Sequence, residues 1–295
     1  MKFNALSKSA LLLIAVAAGF GIMFESVSAL MRPQLPKKIA SRPAEQIENV
    51  EKLRTVDIDP SNPLVIVREV DYSEGKNSSW FPRNEAPVLH ELVLEGKLPP
   101  LSERIASEPL VLEGVDHERN YGGTWFRLAN SATDATSIMN RLGYPNLVRF
   151  SPNGYPIVPH ICKKFSISPD DREFTFVMRK GMKWSDGAPF TVDDIMYCWE
   201  LEQCDKSLNP EPQGVFMYMG KAPEFTKIDD YTLKIAYKEP YGQFIDRMAG
   251  AYGRSLCNSP SHYLKQYHPR LGDRKKIEEL KNKLGFSTDK AVYMH

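Results

Sequence analysis

The sequence lacks the short motifs that mark the commonest catalytic and metal centres. His90-Glu91 and His117-Glu118 are not followed by a second histidine at the spacing of a zinc-protease helix, and no Gly-x-Ser-x-Gly elbow occurs. The six histidines show no ligand spacing, and no Cys-x-x-Cys pair is present. We therefore expect a protein that is not an enzyme and that uses neither a metal nor a cofactor.

The chain also lacks an excess of charge of either sign. Its 38 lysines and arginines nearly balance its 37 acidic residues, which gives a net charge of +1. Because nucleic-acid-binding domains usually carry a basic patch, this balance argues against such a partner. Acidic residues do occur in adjacent pairs, which we predict to be solvated residues of turns or of a helix start: Asp170-Asp171, Asp193-Asp194 and Asp229-Asp230.

Cysteine is scarce, and its spacing fits none of the usual frameworks. The four cysteines are Cys162, Cys198, Cys204 and Cys257. The simplest interpretation is that they are small buried apolar side chains. An oxidising compartment would permit a disulfide instead, and four cysteines allow three pairings. Metal ligation by these residues is not expected.

Long apolar runs are confined to the N-terminus. Lys2 and Lys8 precede an apolar core from Ala10 to Phe24, and the small residues 27–29 follow it. This order predicts a Sec-type signal peptide over residues 1–29. The alternative is an uncleaved anchor, although the core is shorter than the roughly 20 residues of a membrane span. No cysteine stands directly after the apolar core, where a lipoprotein would carry its lipid-modified residue. We therefore expect an exported periplasmic protein that is not a lipoprotein.

The most informative stretch runs from Phe174 to Gln203. It opens with alternating apolar positions, the pattern of a strand with one buried face, at Phe174, Phe176 and Met178. Thr191 stands three residues before Asp194, as in a capping box at a helix start. Apolar residues then recur at helical spacing, at Val192, Ile195, Met196 and Trp199. The sequence therefore predicts a strand, a turn and a capped helix in this order.

The turn and helix start within this stretch resemble a known family signature. The segments concerned read RKGMKWSDG over residues 179–187, PFT over 189–191 and DD over 193–194. This run resembles the core signature of the family 5 extracellular solute-binding proteins, the receptors of bacterial ABC importers for peptides, oligopeptides and nickel. The resemblance implies a mixed α/β fold of the type II periplasmic-binding-protein kind, in which two lobes close over a ligand.

The resemblance also suggests how the chain is divided. Residues 30–115 form a lead-in rich in proline and charge, with one short helix over 87–95. Residues 116–135 would supply the first strand of the large lobe, 136–265 the smaller α/β subdomain, and 266–295 a return toward the large lobe. Family members are considerably longer than this chain. We therefore expect an N-terminal portion, in which the two-lobe fold is incomplete and the smaller subdomain is largely present.

By the same resemblance, the end of the first strand faces the ligand cleft. We therefore expect Asn130, Ser131 and Thr133 to contact ligand, with an ordinary polar loop as the alternative. An aromatic residue from the region of Tyr218 contacts ligand in oligopeptide-binding members, so Tyr218 is the fourth candidate, with a place in the core as its alternative.

The expected function follows from the resemblance. It is capture of a peptide-like solute by a monomeric periplasmic receptor, which presents that solute to an ABC permease in the inner membrane. The competing hypothesis is an exported hydrolase or a sensor ectodomain on the same fold, since a fold alone does not decide a function.

Overall fold

The computed structural model describes residues 5–31, 66–112, 129–134, 145–151 and 154–295, together with the single positions 44, 45, 48, 52, 121, 136, 140 and 143. These residues divide into two units, Met1–Lys52 and Leu53–His295. The core of the predicted first strand of the large lobe, residues 122–128, lies outside the described residues, as does most of the lead-in before residue 66.

The described part of the first unit includes helix α1 (Ala5–Met31), which covers the predicted leader. The helix contains the apolar core from Ala10 to Phe24, and the side chains of residues 15–27 are exposed. Among the residues that the structure describes, no helix is both long enough and apolar enough to cross a membrane. Cleavage after Ala29 stays a prediction.

The second unit is built on antiparallel strands. A two-stranded sheet pairs β1 (Val148–Phe150) with β2 (Ile157–Pro159). A four-stranded sheet has the order β3-β4-β6-β5. Its strands are β3 (Cys162–Ile167), β4 (Glu173–Met178), β5 (Glu224–Asp229) and β6 (Thr232–Ala236).

Alternation along the two central strands decides which face of the sheet is buried. Phe174 pairs with Ile235, and Phe176 pairs with Leu233. All four side chains are completely buried. Cross-strand partners share one face of a sheet, so these residues form a continuous apolar layer. The alternation predicted for β4 is confirmed.

Helices cover this apolar face and extend beyond it. The capping box predicted at Thr191 and Asp194 is present, and the helix that it starts continues into a π-helical turn over Cys198–Gln203. The helices of the second unit are α2 (Pro87–Leu94), α3 (Leu101–Arg104), α4 (Val192–Tyr197), α5 (Phe244–Ala249), α6 (Ser261–Leu264), α7 (Arg274–Leu284) and α8 (Asp289–Tyr293).

Aromatic contacts join the helices to the sheet. The rings of Trp199 and Phe225 stack with centroids 4.3 Å apart, and Phe244 packs on Phe174 at 4.7 Å. Such pairs contribute about 0.5–1.5 kcal/mol each beyond the area they bury. Large side chains of α5 and of the π-helical turn therefore pack on the same face of the sheet.

The segment 66–112 is attached to the sheet through Arg179, whose side chain is buried. Its Nε donates to the carbonyl of His160 at 2.6 Å, and its Nη1 donates to the hydroxyl of Tyr72 at 2.5 Å and to the carbonyl of Pro109 at 3.2 Å. The carboxylate of Glu108 adds bonds to Lys163 and to the backbone N–H of Lys180. This part of the lead-in is therefore packed on the subdomain.

Two elements differ in part from what the local sequence predicts. The sequence predicts a loop over residues 209–227, yet β5 begins at Glu224, where pairing with β6 overrides a weak local pattern on an edge strand. The sequence predicts a helix over 241–251, but α5 ends at Ala249 because Gly250 adopts extended backbone (φ −81°, ψ 176°). A 3₁₀ segment over Ala251–Cys257 follows.

Candidate functional site

A cavity of about 980 Å³ opens beside α5 and the 3₁₀ segment that follows it. This volume is typical of clefts that hold small molecules. Its lining comes from Asn140, from the loop before β5, from α5 and from the 3₁₀ segment. The side chains that give it its chemistry are Gln213, Asp246, Arg247, Tyr252, Arg254 and Ser255.

Charged groups dominate the polar lining of this cavity. Asp246 and Arg247 are exposed, whereas Arg254 is half-buried. Its Nη1 is out of contact with solvent and has no hydrogen-bond partner among the described residues. The guanidinium of Arg247 lies 5.7 Å from the ring centroid of Tyr241, which places the cation over an aromatic face.

Two features fix the backbone on which these side chains stand. The buried Asn146 donates from Nδ2 to the carbonyls of Met248 at 2.8 Å and Gly250 at 2.6 Å, which satisfies free carbonyls at the end of α5. Gly253 packs so closely that a Cβ there would lie 2.1 Å from the carbonyl oxygen of Met248. Arg254 is therefore carried on a turn that only glycine at position 253 allows.

The loop on the opposite side of the cavity is also anchored. The backbone N–H of Gln213 donates to Oε1 of the buried Gln203 at 3.1 Å. Three residues further on, the carbonyl of Phe216 accepts from the hydroxyl of Tyr237 at 2.9 Å. Both walls of the cavity are thus held by side-chain to backbone hydrogen bonds.

Tyr218, the predicted aromatic ligand contact, is half-buried in an aromatic cluster. Its ring stacks on Tyr241 with centroids 4.1 Å apart, and it meets Tyr237 edge-on at 6.4 Å. Tyr218 does not line the cavity itself, although Tyr241 links it to Arg247. The ring therefore packs against the core and still exposes part of its surface.

The other three predicted contacts lie together in one exposed turn. Asn130, Ser131 and Thr133 are all exposed, and a 3₁₀ turn spans Ala132–Asp134. The backbone N–H of Asn130 donates to the carboxylate of Asp134 at 2.7 Å, which closes the turn. None of the three lines the cavity.

The signature segment uses its polar groups internally. Asp194 is buried, and its carboxylate accepts hydrogen bonds from the backbone N–H of Ser261 at 2.9 Å, from Thr191 N at 3.1 Å and from Trp184 Nε1 at 3.2 Å. The prediction that both members of this acidic pair are solvated is therefore wrong for Asp194. It holds for Asp193, which is exposed and bonds Lys227 at 2.8 Å.

The cysteines are free thiols. Cys162, Cys198 and Cys257 are buried, as the simplest interpretation predicts, but Cys204 is exposed and contradicts it. Burial raises the pKa of the Cys162 thiol to about 12, so that group stays protonated at any physiological pH. Within the part of the chain that the structure describes, no group of three or more His, Cys, Asp or Glu side chains is placed to hold a metal ion.

The cavity residues Asp246, Arg247 and Arg254 were not found from the sequence. They carry no motif, and their charges read as ordinary surface residues. The one available signal was their position within a largely apolar run between Phe244 and Cys257. Charged residues are seldom buried, so charges in such a run indicate a surface with a particular role.

Known proteins resemble part of this chain. Residues 156–284 match the family model for bacterial extracellular solute-binding proteins, family 5 Middle. A periplasmic alpha-galactoside-binding protein of Rhizobium meliloti (strain 1021) is 30% identical over 202 residues, which are 62% of this chain and 29% of that relative. Dipeptide-binding protein DppE of Bacillus subtilis (strain 168) is 25% identical over 181 residues, 54% of this chain and 32% of that relative.

A solved structure agrees with these matches. An oligopeptide-binding protein OppA superposes with a TM-score of 0.64 at 30% identity, covering 75% of this chain and 34% of the OppA chain. The chain therefore spans about a third of the length of these relatives. The expected mixed α/β fold of OppA-type periplasmic binding proteins is confirmed. Residues 156–284 therefore resemble the middle region of the family 5 bacterial extracellular solute-binding proteins, and the chain is similar to OppA over 75% of its length.

Proposed function

We propose that this chain is part of the substrate-binding component of an ABC importer, which captures a peptide-like solute in the periplasm and presents it to a permease in the inner membrane. The family match over residues 156–284 carries the proposal. Relatives are named for dipeptides and oligopeptides, and the cavity beside α5 has a volume suited to a small solute.

Several features of the chain agree with this role. The relatives are named as binding proteins and not as enzymes, which favours a receptor over a hydrolase. The apolar leader within α1 is consistent with Sec export of a periplasmic protein that carries no lipid anchor. We retain a monomer as the expected state, with the permease as its partner.

The residues proposed to contact ligand are Asn130, Ser131, Thr133 and Tyr218. The first three present exposed hydroxyl, amide and backbone groups on one turn, which can exchange hydrogen bonds with a peptide backbone. The half-buried ring of Tyr218 offers an apolar surface held rigid by its stack on Tyr241.

A second solute class is favoured by one observation. The relative from Rhizobium meliloti, which matches over 202 residues, is named for an alpha-galactoside. A neutral oligosaccharide would use the same kinds of group, hydrogen-bonding side chains and an aromatic surface. We therefore propose an α-galactoside as the alternative solute of the same receptor.

Calorimetric titration decides between these solutes. The chain, and the longest product of its reading frame, are titrated with a pool of tri- to pentapeptides and separately with melibiose, an α-galactoside. Saturable heat with peptides and none with melibiose supports the first proposal, and the reverse supports the second. Binding of neither by the longest product contradicts both.

A variant pair tests the proposed aromatic contact. Tyr218→Ala should weaken solute binding about tenfold, a loss that corresponds to one buried aromatic contact of about 1.4 kcal/mol. Tyr263→Ala is the matched control, because Tyr263 is half exposed on α6 and lies outside both the cavity and the aromatic cluster of Tyr218. Equal affinities of the two folded variants would remove Tyr218 from the site.

A further inference from the structure

The cavity beside α5 holds two guanidinium groups that no carboxylate neutralises. Within the described part of the chain, neither Arg247 nor Arg254 has an acidic side chain within 4.0 Å, and Asp246 likewise forms no ion pair. Some arginines of the second unit do form ion pairs, such as Arg270 with Asp205 at 2.5 Å and Arg274 with Asp289 at 2.6 Å. The buried Arg179 has no acidic partner either, but its guanidinium is hydrogen-bonded to a hydroxyl and to carbonyls.

Arg254 is the more unusual of the two arginines. Its Nη1 has lost contact with solvent without gaining an acceptor among the described residues. A buried donor without an acceptor is unfavourable, and this holds more strongly for a charged group. An acceptor in the cavity that draws the Arg254 guanidinium out of this position would therefore relieve that cost.

We propose that Arg254, with Arg247, forms a subsite for a carboxylate group of the solute. A guanidinium presents parallel N–H donors that match the two oxygens of a carboxylate, which makes such pairs shorter and stronger than neutral hydrogen bonds. Arg254 makes the direct contact, and Arg247 adds a second positive charge. This subsite deepens the proposed function, on which it rests, by favouring solutes with an acidic group.

The rest of the lining limits which anion fits. Asp246 adds a negative charge to the same cavity, so any second carboxylate of a ligand must lie away from Asp246. Tyr252, 73% exposed, presents a ring at the cavity on which the uncharged part of a ligand can lie. An acidic side chain or a free C-terminus of a peptide meets both conditions.

The subsite makes a structural demand that can be observed. Because Nη1 is closed to solvent in the present arrangement, the guanidinium of Arg254 turns toward the cavity when the carboxylate binds. Asn146 and Gly253 hold the backbone beneath it, so the movement is confined to the side chain. The Nε–H resonance of Arg254 should therefore shift on binding.

The test uses glutarate as the carboxylate probe and glutaramide as its uncharged counterpart. In protein labelled with ¹⁵N-arginine, we expect glutarate to shift the Arg254 Nε–H signal saturably, and glutaramide to leave it in place. Assignment comes from the signal lost in Arg254→Gln. An unmoved Arg254 signal, or equal shifts with both probes, overturns the subsite.

Affinity measurements with variants complete the test. Arg254→Gln should weaken glutarate binding by roughly tenfold or more, the range for a hydrogen bond to a charged group. Arg274→Gln removes the same charge outside the cavity and should leave the affinity unchanged. If Arg254→Gln does not fold, Arg254→Lys replaces it and should lose part of the affinity, since lysine lacks the paired donors. Parental affinity in the folded Arg254 variant contradicts the proposal.

Failure of the subsite and failure of the proposed function give different results. If glutarate binds through Arg254 but neither peptides nor melibiose bind the longest product of the reading frame, the subsite stands and the importer role falls. If peptides bind, but Ala-Glu-Ala and the C-terminal amide of Ala-Gln-Ala, which has no carboxylate, bind equally, the role stands and the subsite is wrong.

Discussion

Removing the Asp194 carboxylate should destabilise the fold far more than removing its neighbour. Asp194 is buried and joins three separate segments, since it accepts from the helix start at Thr191, from the turn at Trp184 and from the start of α6 at Ser261. In Asp194→Ala all three donors lose their acceptor at once. Trp184 is half-buried, so its indole N–H can find water, but the N–H of Ser261 is buried.

The magnitude follows from the burial of each donor. A buried donor left without an acceptor costs about 1–3 kcal/mol, and a partly solvated hydrogen bond contributes about 0.5–1.5 kcal/mol. One buried donor without an acceptor and two lost hydrogen bonds that are partly solvated together predict a decrease of about 2–6 kcal/mol in the free energy of unfolding. Folded domains are stable by only about 5–15 kcal/mol, so the variant should be marginal.

Asp193→Ala is the matched control. Asp193 lies in the same first helical turn and has the same charge, so its removal changes the interaction with the helix dipole equally. Its side chain is 61% exposed and pairs with Lys227 at the surface, and such pairs contribute at most about 1 kcal/mol. The difference between the two variants isolates the buried network.

Urea unfolding measures this difference. We expect a lower midpoint for Asp194→Ala with an unchanged slope, and a nearly parental curve for Asp193→Ala. Hydrogen exchange at the Ser261 amide should accelerate in the first variant alone. Equal losses in the two variants, or a loss below about 1 kcal/mol for Asp194→Ala, would refute the network as a source of stability.

Three further predictions follow from other parts of the structure. A thiol reagent should label the exposed Cys204 in the folded protein and the buried Cys162 only after unfolding. Mass spectrometry after brief labelling identifies which cysteine reacts first. Early labelling of Cys162 would contradict its burial. Gly253→Ala should abolish or greatly weaken folding, since its Cβ would meet the carbonyl of Met248, and a parental melting temperature would show that the turn can move. Burial opposes ionisation of Asp205, but hydrogen bonds from the backbone and from an arginine lower its pKa. The ionised carboxylate therefore stabilises the fold above about pH 4, and this stabilisation is lost as the pH falls. Asp205→Asn should make the stability of the protein depend less on pH in this range, and an unchanged acid-unfolding curve would refute the prediction.

The parts of the fold that the sequence predicted are those with a local signal. Alternation of Phe174, Phe176 and Met178 predicted β4, and the pairing of a hydroxyl with an acid three residues later predicted the cap of α4. Each of these patterns lies within about one turn or one strand of sequence.

What the sequence could not predict depends on partners far along the chain. The local sequence around Asp194 is typical of an exposed acidic residue. Its burial depends on Ser261, which lies 67 residues later and donates a hydrogen bond to its carboxylate. Arg179 is buried because Tyr72, 107 residues earlier, supplies an acceptor. The cavity wall needs Asn146, which reaches Gly250 across 104 residues. No local propensity carries such information, because tertiary contacts decide it.

The family signature and the residues proposed to contact the solute lie in different parts of this chain. Arg179, Thr191 and Asp194 of the signature have their polar groups bonded within the protein, so they have little left to offer a ligand. Arg254 and Asp246 lie outside the signature, and no ion pair engages either among the described residues. In the receptor that we propose, the signature therefore supports the fold, while side chains outside it contact the solute.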